Sequence, residues 1–349
     1  MKLGYFTMPL HPPGSLHHET LHDDLEQIVL LDKLGFNEAW IGEHFTSVWE
    51  NIPAPDLFIA QALGLTDNII LGTGVTCMPN HNPFVLANRI AQLDHMAKGR
   101  LHWGVGSGGF PGDFEVFGFD LESGKNKVMT REALDCVLGI WDDPKPGKYS
   151  SEWWDFNIPE TDDWIGVKYH IPPYQKPHPP FWMGAGSPNS IEGVVERGYN
   201  LLLDQFAPIS VTLERMQTFR TAVENRGRKF DANEVGVARG LYVARDEADR
   251  DEAIQRRISA RTRIDNLAQR PDGANKASIM SYDDTTETAL EASLFGTVEE
   301  IVEKVSKLRD GGVKYILLSD GGSGIEGLRQ FSKEVMPVFA GDEKAEAAE

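Results

Sequence analysis

Apolar runs that suit β-strands alternate with amphipathic stretches along almost the whole chain. Between the strand-like runs, apolar residues recur at helical spacing, as in residues 21–34 and 84–96. The alternation predicts strand–helix units, and their number and short connections favour an α/β fold, a closed (β/α)8 TIM barrel. The eight predicted strands are residues 2–7, 38–43, 69–78, 101–106, 181–185, 200–206, 235–244 and 314–319.

One helix has both of its ends marked in the sequence. Thr297 and Glu300 have the spacing of a capping box at the start of the predicted helix 298–308, and Gly311 and Gly312 follow its end. A strand-like run begins directly afterwards. The two glycines therefore predict that the helix ends before the strand at 314–319.

Two segments interrupt the alternation and are interpreted as insertions at the C-terminal face of the barrel. Residues 142–180 are rich in Pro and Trp, and residues 266–293 are polar with little periodicity. Long irregular loops on a compact barrel usually serve as lids or binding loops. We therefore predict a single domain over residues 1–340, followed by a flexible acidic tail at 341–349.

Composition narrows the classes of function. The chain has 349 residues, 41% of them hydrophobic and 25% charged, with a formal net charge of −19. This charge disfavours binding to nucleic acids and to anionic membranes, and no apolar run is long enough to span a bilayer. Cys77 and Cys136 suit free thiols better than a disulfide framework. The composition predicts a cytoplasmic enzyme that acts on a small molecule.

A glycine-rich sequence follows the fourth predicted strand. Residues 104–109 match the pattern GxGxxG of dinucleotide-binding turns. In such folds the turn leads directly into a helix, whereas Phe110, Pro111, Gly112 and Asp113 suggest that an irregular loop continues here. We therefore interpret the glycines as a strand end at which the backbone approaches a ligand closely.

A second pattern, HExxH, offers a zinc site. His18, Glu19 and His22 match it at the predicted start of the first helix. A zinc hydrolase that uses these three residues is kept as an alternative, although exposed side chains in a first helical turn are the commoner interpretation. The predicted site contains no metal.

Several barrel strands end in residues that suit a ligand site. His44 follows the second strand, at the end of the barrel where such enzymes carry their chemistry, and can act as a proton carrier. Gly74, in the third strand, indicates a bend or a close approach by a ligand. After the fifth strand, Gly186, Ser187 and Ser190 precede a helix, where main-chain N–H groups and hydroxyls suit either a phosphate or an ordinary helix cap.

These residues carry a resemblance to a known family. The sequence 1–6 (MKLGYF), the sequence 43–45 (EHF), the sequence 72–74 (GTG), the sequence 93–100 (LDHMAKGR) and residues 104–106 occur in the order and at the spacing of the bacterial luciferase-like, flavin-dependent monooxygenases. The similarity resumes at residues 181–190 and 296–320. The sequences 49–53 (WENIP) and 79–83 (PNHNP) resemble most the branch of limonene and diketocamphane monooxygenases.

The resemblance implies a barrel that binds reduced FMN, reacts with O₂ to give a C4a-(hydro)peroxyflavin, and inserts one oxygen into a substrate. It implies that His44 is the catalytic residue, that the Gly74–Val75 peptide bond is cis, and that Ser107 replaces an arginine that contacts the FMN phosphate. The implied cofactor-binding residues are Glu43, Thr73, Gly74, Val75, Met78, Gly106, Ser107, Gly186, Ser187 and Ser190. The predicted substrate pocket consists of Phe45, Trp49, Asn51, His81 and Phe110.

The predicted function is that of a two-component FMNH₂-dependent monooxygenase acting on a small hydrophobic compound. The reaction is Baeyer–Villiger oxidation, epoxidation or hydroxylation, and the sequence does not choose among them. The predicted partners are a separate NAD(P)H:flavin reductase and a second copy of the chain in a homodimer. Besides the zinc hydrolase, an F420-dependent oxidoreductase of the same fold that transfers hydride and a flavin-binding protein without catalysis stay open, and His44 argues against the last.

Overall fold

The computed structural model describes residues 1–7, 11–47, 49–50, 52–118, 123–162, 164, 172–267 and 285–340. The strands of its main sheet are β1 (Lys2–Thr7), β2 (Glu38–Ile41), β3 (Ile70–Cys77), β4 (Leu101–Gly106), β7 (Phe181–Gly184), β8 (Asn200–Leu203), β9 (Val235–Val243), β10 (Leu294–Gly296) and β11 (Tyr315–Asp320). Eight of them, in the order β9-β11-β1-β2-β3-β4-β7-β8, close into a parallel barrel because β8 also pairs with β9. The remaining strand, β10, pairs with β9.

Helices follow most of the barrel strands, as an α/β barrel requires. They are α1 (His17–Leu34), α2 (Pro55–Leu63), α3 (Pro83–Ala97), α4 (Pro111–Val116), α5 (Lys125–Asp142), α6 (Pro188–Glu196), α7 (Ile209–Asn225), α8 (Glu247–Leu267), α9 (Thr286–Ala292), α10 (Val298–Asp310), α11 (Gly324–Glu334) and α12 (Met336–Phe339). The prediction of a (β/α)8 barrel is confirmed, and each of the eight predicted strands is present within a few residues of its expected ends.

The sequence signals at α10 and α6 explain where these helices begin. The Thr297 side chain accepts a hydrogen bond from the Glu300 main-chain N–H, and the Glu300 side chain accepts one from the Thr297 N–H. Ser187 and Ser190 form the same reciprocal cap at α6. Such caps satisfy main-chain N–H groups that a helix leaves unpaired at its start.

The chain divides into two compact units, the first built from the described parts of residues 1–8, 26–40 and 182–349, the second from those of 9–25 and 41–181. In the first unit, Trp40, Trp182, Tyr315 and Leu317 form a buried cluster. The Trp40 indole N–H donates to the Tyr315 hydroxyl at 2.7 Å, and that hydroxyl donates to Glu38. The polar ends of Trp40 and Tyr315 are thus satisfied within the core.

The segment predicted as the first insertion contains regular structure that the sequence did not indicate. Strands β5 (Gly147–Ser150) and β6 (Asp155–Ile158) form an antiparallel hairpin, on which the rings of Tyr149 and Phe156 stack at 5.2 Å. The expectation of an irregular loop is therefore wrong for this part. Each strand has four residues, too few for a visible alternation, and the cross-strand aromatic pair stabilises them.

The end of the same insertion is attached to helix α3 and strand β4 through Gln175. The Gln175 side-chain amide donates to Asp94 Oδ1 at 2.7 Å and to the Leu101 carbonyl at 2.9 Å, and its main-chain N–H donates to Asp94 Oδ2 at 2.8 Å. Asp94 is fully buried in α3. Because all of these groups are satisfied, the chain is fixed where it returns to the barrel.

The second predicted insertion is described only at its two ends. Helix α8 reaches Leu267, and α9 begins after Thr285, whose side chain accepts a hydrogen bond from the Thr288 N–H. Helix α9 is a further element that the weak periodicity did not predict. The predicted flexible tail at 341–349 lies outside the described residues. Within the residues that the structure does describe, none of the helices combines the length and the apolarity that crossing a bilayer requires.

Candidate active site

His44 lies just beyond β2, in the second unit, with both ring nitrogens facing carboxylates. Nδ1 lies 3.1 Å from Asp113 Oδ2, and Nε2 lies 3.0 Å from Glu50 Oε2. The ring packs edge-on against Phe110, with 5.3 Å between ring centroids. These contacts hold the imidazole ring in place, and because its side chain is 25% exposed, part of it stays accessible.

Asp113 is fixed by more than its contact with His44. Its Oδ1 accepts hydrogen bonds from the main-chain N–H groups of Phe45 at 3.1 Å and Thr46 at 2.8 Å, and from the Thr46 hydroxyl at 2.7 Å. A Cβ on Gly112 would come within 2.4 Å of that hydroxyl, so glycine allows the approach. Asp113 therefore fixes the loop after β2 as well as the imidazole.

The position of Asp113 corrects one expectation from the sequence. Phe110, Pro111, Gly112 and Asp113 were expected to continue an irregular loop after the glycines, but α4 begins at Pro111. The fixed φ of proline suits the first position of a helix, and Asp113 lies in the favourable first turn. The sequence 104–109 nevertheless does not lead directly into that helix, because Phe110 intervenes as its N-cap residue.

Glu50 is the second partner of His44 and is almost completely buried. The Ser47 hydroxyl accepts hydrogen bonds from the main-chain N–H groups of Trp49 at 3.3 Å and Glu50 at 3.1 Å. The His44 N–H donates to the Ile52 carbonyl at 3.3 Å. These bonds form a compact turn that brings the Glu50 carboxyl group back to the histidine.

The surroundings change the pKa values of all three groups. Burial by itself lowers the pKa of His44, but the hydrogen bond with Asp113 and the charges of Glu50, Asp113 and Glu43 outweigh it and raise the pKa above its ordinary value. Burial would raise the pKa of Asp113, yet the hydrogen bonds from His44 and Thr46 lower it. Burial raises the pKa of Glu50, against the opposing charge of His44. The site therefore favours a charged imidazole beside an ionised Asp113.

Glu43 and His81 form a second pair near His44. His81 Nε2 lies 3.0 Å from each Glu43 carboxylate oxygen, and the Asn80 side-chain amide donates to Oε1 at 3.5 Å. The Glu43 side chain is 1% exposed. Burial of the neighbouring Cys77 thiol, together with the charges of Glu43 and Asp113, raises its pKa well above the ordinary value, so the thiol stays protonated.

The ends of β3 and β4 provide closely packed backbone. The Gly74–Val75 peptide bond is cis, as the resemblance implies. A Cβ on Gly106 would lie 2.6 Å from Val75 Cγ2, so a side chain at position 106 would collide with Val75. The Thr73 hydroxyl donates to the Gly104 carbonyl at 2.8 Å, which joins the two strands where their register is irregular. The Ser107 carbonyl accepts from the Asn126 side-chain amide at 3.2 Å.

Gly186, Ser187 and Ser190 lie in the first unit, between β7 and the start of α6. The two serine hydroxyls are 2.9 Å apart and exposed. A Cβ on Gly186 would lie 3.1 Å from Arg215 Nη2, so a guanidinium group covers this backbone. Arg215 Nη1 donates to Asp204 Oδ2 at 2.7 Å. The Ser187 and Ser190 N–H groups donate to each other's hydroxyl and so serve the helix cap, and the Arg215 guanidinium is the charged donor beside them that suits a phosphate group.

The predicted pocket residues have different surroundings. Phe45 is 41% exposed and packs edge-on against Phe117, whereas Phe110 contacts His44 and Trp49 is half-buried. Met78, predicted to contact the cofactor, is fully buried in a short 3-10 helix. Asn51 lies outside the described residues.

The HExxH residues do not form a cluster of ligands. His18, Glu19 and His22 are exposed in the first turns of α1. Across the described parts of the chain, no group of three His, Cys, Asp or Glu side chains is placed to hold a metal ion. The exposed surface of a helix, rather than a metal centre, is what these residues form.

Three residues with clear structural roles at these sites were not among those predicted from the sequence. Asp113 had been assigned to a loop, Glu50 appeared only within a stretch of family resemblance, and Arg215 lies in an amphipathic helix without any motif. The Pro-Gly-Asp sequence at 111–113 is the typical start of a helix and could have indicated Asp113. Nothing local to Glu50 or Arg215 indicates a function, because their partners are brought to them by the fold.

Comparison with known proteins identifies relatives of this chain. Limonene 1,2-monooxygenase of Rhodococcus erythropolis is 38% identical over 134 residues, which are 38% of this chain and 34% of that protein. The oxygenase component of the flavin-dependent trigonelline monooxygenase of Acinetobacter baylyi is 26% identical over 342 residues, 92% of this chain and 90% of that protein. Relatives that reach 38% identity are matched over less than half of their own length.

A solved structure shows the same fold. The oxygenating constituent of 3,6-diketocamphane monooxygenase from Pseudomonas putida, in complex with FMN, superposes with a TM-score of 0.79 at 23% identity, over 97% of this chain and 98% of that one. The sequence profile of the luciferase-like monooxygenases matches residues 1–315. The resemblance read from the sequence is therefore confirmed, and this chain belongs to the luciferase-like monooxygenase family.

Proposed function

We propose that this chain is the oxygenase component of a two-component monooxygenase that uses reduced FMN and O₂ to insert one oxygen atom into a small hydrophobic compound. The family membership and the FMN complex of the 3,6-diketocamphane enzyme support the flavin. The similarity to an oxygenase component supports a separate NAD(P)H:flavin reductase as the partner. A small apolar ketone, alkene or aromatic compound is the proposed substrate class.

The observation that carries this proposal is the position of His44 between Asp113 and Glu50 at the end of a barrel strand. An imidazole with a raised pKa, partly accessible and packed against Phe110, can hold or transfer a proton beside a bound ligand. In this role His44 is the catalytic residue. Its carboxylate partners fix the orientation of the ring before any ligand binds.

The residues present fit FMN. At the ends of β3 and β4, Gly74 and Gly106 have no side chain, and the Val75 side chain packs against Gly106, so backbone is available there to a flat ring. The proposed ring contacts are Gly74, Val75 and Gly106, together with Glu43, Thr73 and Met78. When bound, reduced FMN supplies the electrons with which one atom of O₂ is reduced to water while the other enters the substrate. The FMN phosphate is assigned to Gly186, Ser187 and Ser190, with Arg215 as the charged partner, and Ser107 is retained as a predicted contact.

The chain's own carboxylates keep the charges around His44 fixed. Glu43, Glu50 and Asp113 are all buried and hydrogen-bonded, so the charges around His44 are held in place and need no mobile water to satisfy them. Phe45, Trp49, His81 and Phe110 are the proposed substrate contacts, together with Asn51. Their largely apolar character suits a hydrophobic substrate.

The test compares the wild type with His44→Ala in the presence of FMN, NADH and an independent flavin reductase. We expect FMN binding to be retained and oxygenated product to fall about 10²- to 10⁴-fold, with O₂ consumption diverted to hydrogen peroxide. Oxygen uptake, peroxide and product are measured together against a panel of cyclic ketones and alkenes.

Two further arms separate the alternatives. His22→Ala is the matched control, because it removes an exposed histidine that only the zinc interpretation requires, and we expect its activity to equal that of the wild type. Anaerobic reduction of F420 by a secondary alcohol is the reaction of the hydride-transferring alternative. Unchanged product yield in His44→Ala, or turnover with F420 and none with reduced FMN, would contradict the proposal.

A further inference from the structure

The two carboxylates that contact His44 differ in how they are held. Asp113 accepts three hydrogen bonds from the loop after β2 in addition to its contact with Nδ1. These bonds stabilise the ionised form, and they lower the pKa of Asp113 although burial alone would raise it. Asp113 thus remains a carboxylate and keeps the proton of the histidine on Nδ1.

Glu50 is in the opposite situation. Its main-chain N–H is held by the Ser47 hydroxyl, and its carboxyl group is buried against His44 Nε2 at 3.0 Å. Burial raises the pKa of Glu50, and the charge of Asp113 raises it further, against the opposing effect of His44. Of the two carboxyl groups, Glu50 is therefore the one that accepts a proton more readily.

We propose that Glu50 is the proton-exchange partner of His44, passing a single proton between Glu50 Oε2 and His44 Nε2 while Asp113 holds the other ring proton on Nδ1. In one direction the Nε2–H bond breaks and the O–H bond of Glu50 forms, which turns the imidazolium and carboxylate into a neutral imidazole and carboxylic acid. The reverse step restores both charges. No other reactant is needed, and the total charge of the three groups stays the same.

This inference rests on the proposed function, because it gives the catalytic histidine a local store for its proton. When Nε2 passes its proton to Glu50, the pair becomes neutral, and the new Glu50 O–H group donates a hydrogen bond to the single lone pair of Nε2. When Glu50 returns the proton, the histidine again carries the positive charge. Glu50 acts through His44 and is a positioning residue.

The other titratable groups around His44 have fixed roles. Glu43 contributes a negative charge to the surroundings of His44, while its own oxygens face His81. The Cys77 thiol stays protonated next to these charges. Of the described groups that face the histidine, Glu50 and Asp113 are the two whose oxygens contact its ring.

The experiment titrates His44 by NMR in protein that carries isotope-labelled histidine and no flavin, so that it does not depend on monooxygenase activity. His44→Gln assigns the resonance. In the wild type we expect a pKa above 6.5 and a neutral form protonated on Nδ1. Glu50→Gln should lower the pKa of His44 and keep the Nδ1–H tautomer, whereas Asp113→Asn should lower it and shift the tautomer toward Nε2–H.

Two variants make the result specific. Ser47→Ala removes the bond that holds the Glu50 main chain, and we expect a smaller decrease in the pKa of His44; it also serves as the test if Glu50→Gln does not fold. Glu115→Gln removes an exposed carboxylate from the same helix as Asp113 and should leave the titration of His44 unchanged. A wild-type pKa of His44 in Glu50→Gln, or the same tautomer in the Glu50 and Asp113 variants, overturns the proposal.

A kinetic readout connects the pair to turnover. In Glu50→Gln the pH dependence of the ratio of product to hydrogen peroxide should shift to lower pH, in the direction of the His44 titration. A ratio with unchanged pH dependence overturns the proton exchange even if activity falls. If no flavin-dependent turnover is found at all, the proposed function fails, while the NMR titration still decides whether Glu50 and His44 share a proton.

Discussion

Replacing Asp113 by asparagine tests whether the site is held together by charge or by shape. The variant keeps an oxygen that can accept from Thr46, but it replaces the oxygen facing His44 with an amide that can only donate. While His44 is protonated, two donors, the amide and Nδ1–H of His44, would then face each other across 3.1 Å. Losing a charge-assisted hydrogen bond of this kind costs about 1.5 to 3 kcal/mol.

The size of the effect depends on pH in a defined direction. The folded-state pKa of His44 is raised, so the stability that this residue gains from its carboxylates is fully present below about pH 6.5 and is lost as the pH rises through the folded value. The lowered pKa of Asp113 has the opposite effect, because its contribution is present above about pH 3.8 and is lost in acid. Both contributions are present near pH 6.

Urea unfolding of the wild type and Asp113→Asn at pH 6 and pH 9 measures this difference. We expect the variant to be less stable by about 2 to 3 kcal/mol at pH 6 and by about 1 kcal/mol at pH 9, where a neutral histidine still donates from Nδ1. Glu115→Gln, on the same helix but exposed, should change stability by less than about 0.5 kcal/mol at either pH. An equal penalty at both pH values, or a larger one at pH 9, would refute the charge-based reasoning.

Three further perturbations test other parts of the molecule. Gly106→Ala places a methyl group 2.6 Å from Val75 Cγ2 and should lower the free energy of unfolding by about 1 to 3 kcal/mol. Calorimetry compares it with Gly139→Ala, which has open space around it on a helix and should raise the free energy of unfolding by about 0.5 to 1 kcal/mol. Lys304 donates to three main-chain carbonyls, and burial lowers its pKa to about 8. As the pH rises from about 8 to about 10.5, the free energy of unfolding of the wild type should therefore increase relative to that of Lys304→Met, and an unfolding series without this increase contradicts the prediction. Arg215→Gln should weaken the binding of oxidised FMN about 10- to 150-fold, measured by flavin fluorescence, and leave the binding of riboflavin, which has no phosphate, unchanged. An equal loss of affinity for both ligands would exclude Arg215 from the phosphate site.

The barrel could be predicted because its signals are local and repeated. Each strand is a short apolar run, and each helix carries a stripe or a cap that depends on neighbouring residues. The start of α10 needed only Thr297 and Glu300, three positions apart. The hairpin of β5 and β6 could not be found in this way, since Tyr149 and Phe156 stabilise each other only after the chain has turned back.

The same distinction applies to the site. His44 could be identified because it follows a strand at the end of the barrel where ligands bind. Glu50 and Asp113 act through contacts that span 6 and 69 positions of sequence, and the closure of the turn and the start of α4 create those contacts. Distances between such residues are properties of the folded chain, and a single sequence does not contain them.

The attachment of Gln175 to Asp94 has a consequence for how this part of the chain tolerates change. The β5–β6 hairpin and the buried amide–carboxylate contact are each built from their own hydrogen bonds. Because neither junction depends on the other for its bonds, we expect a substitution that disrupts one of them to leave the other in place.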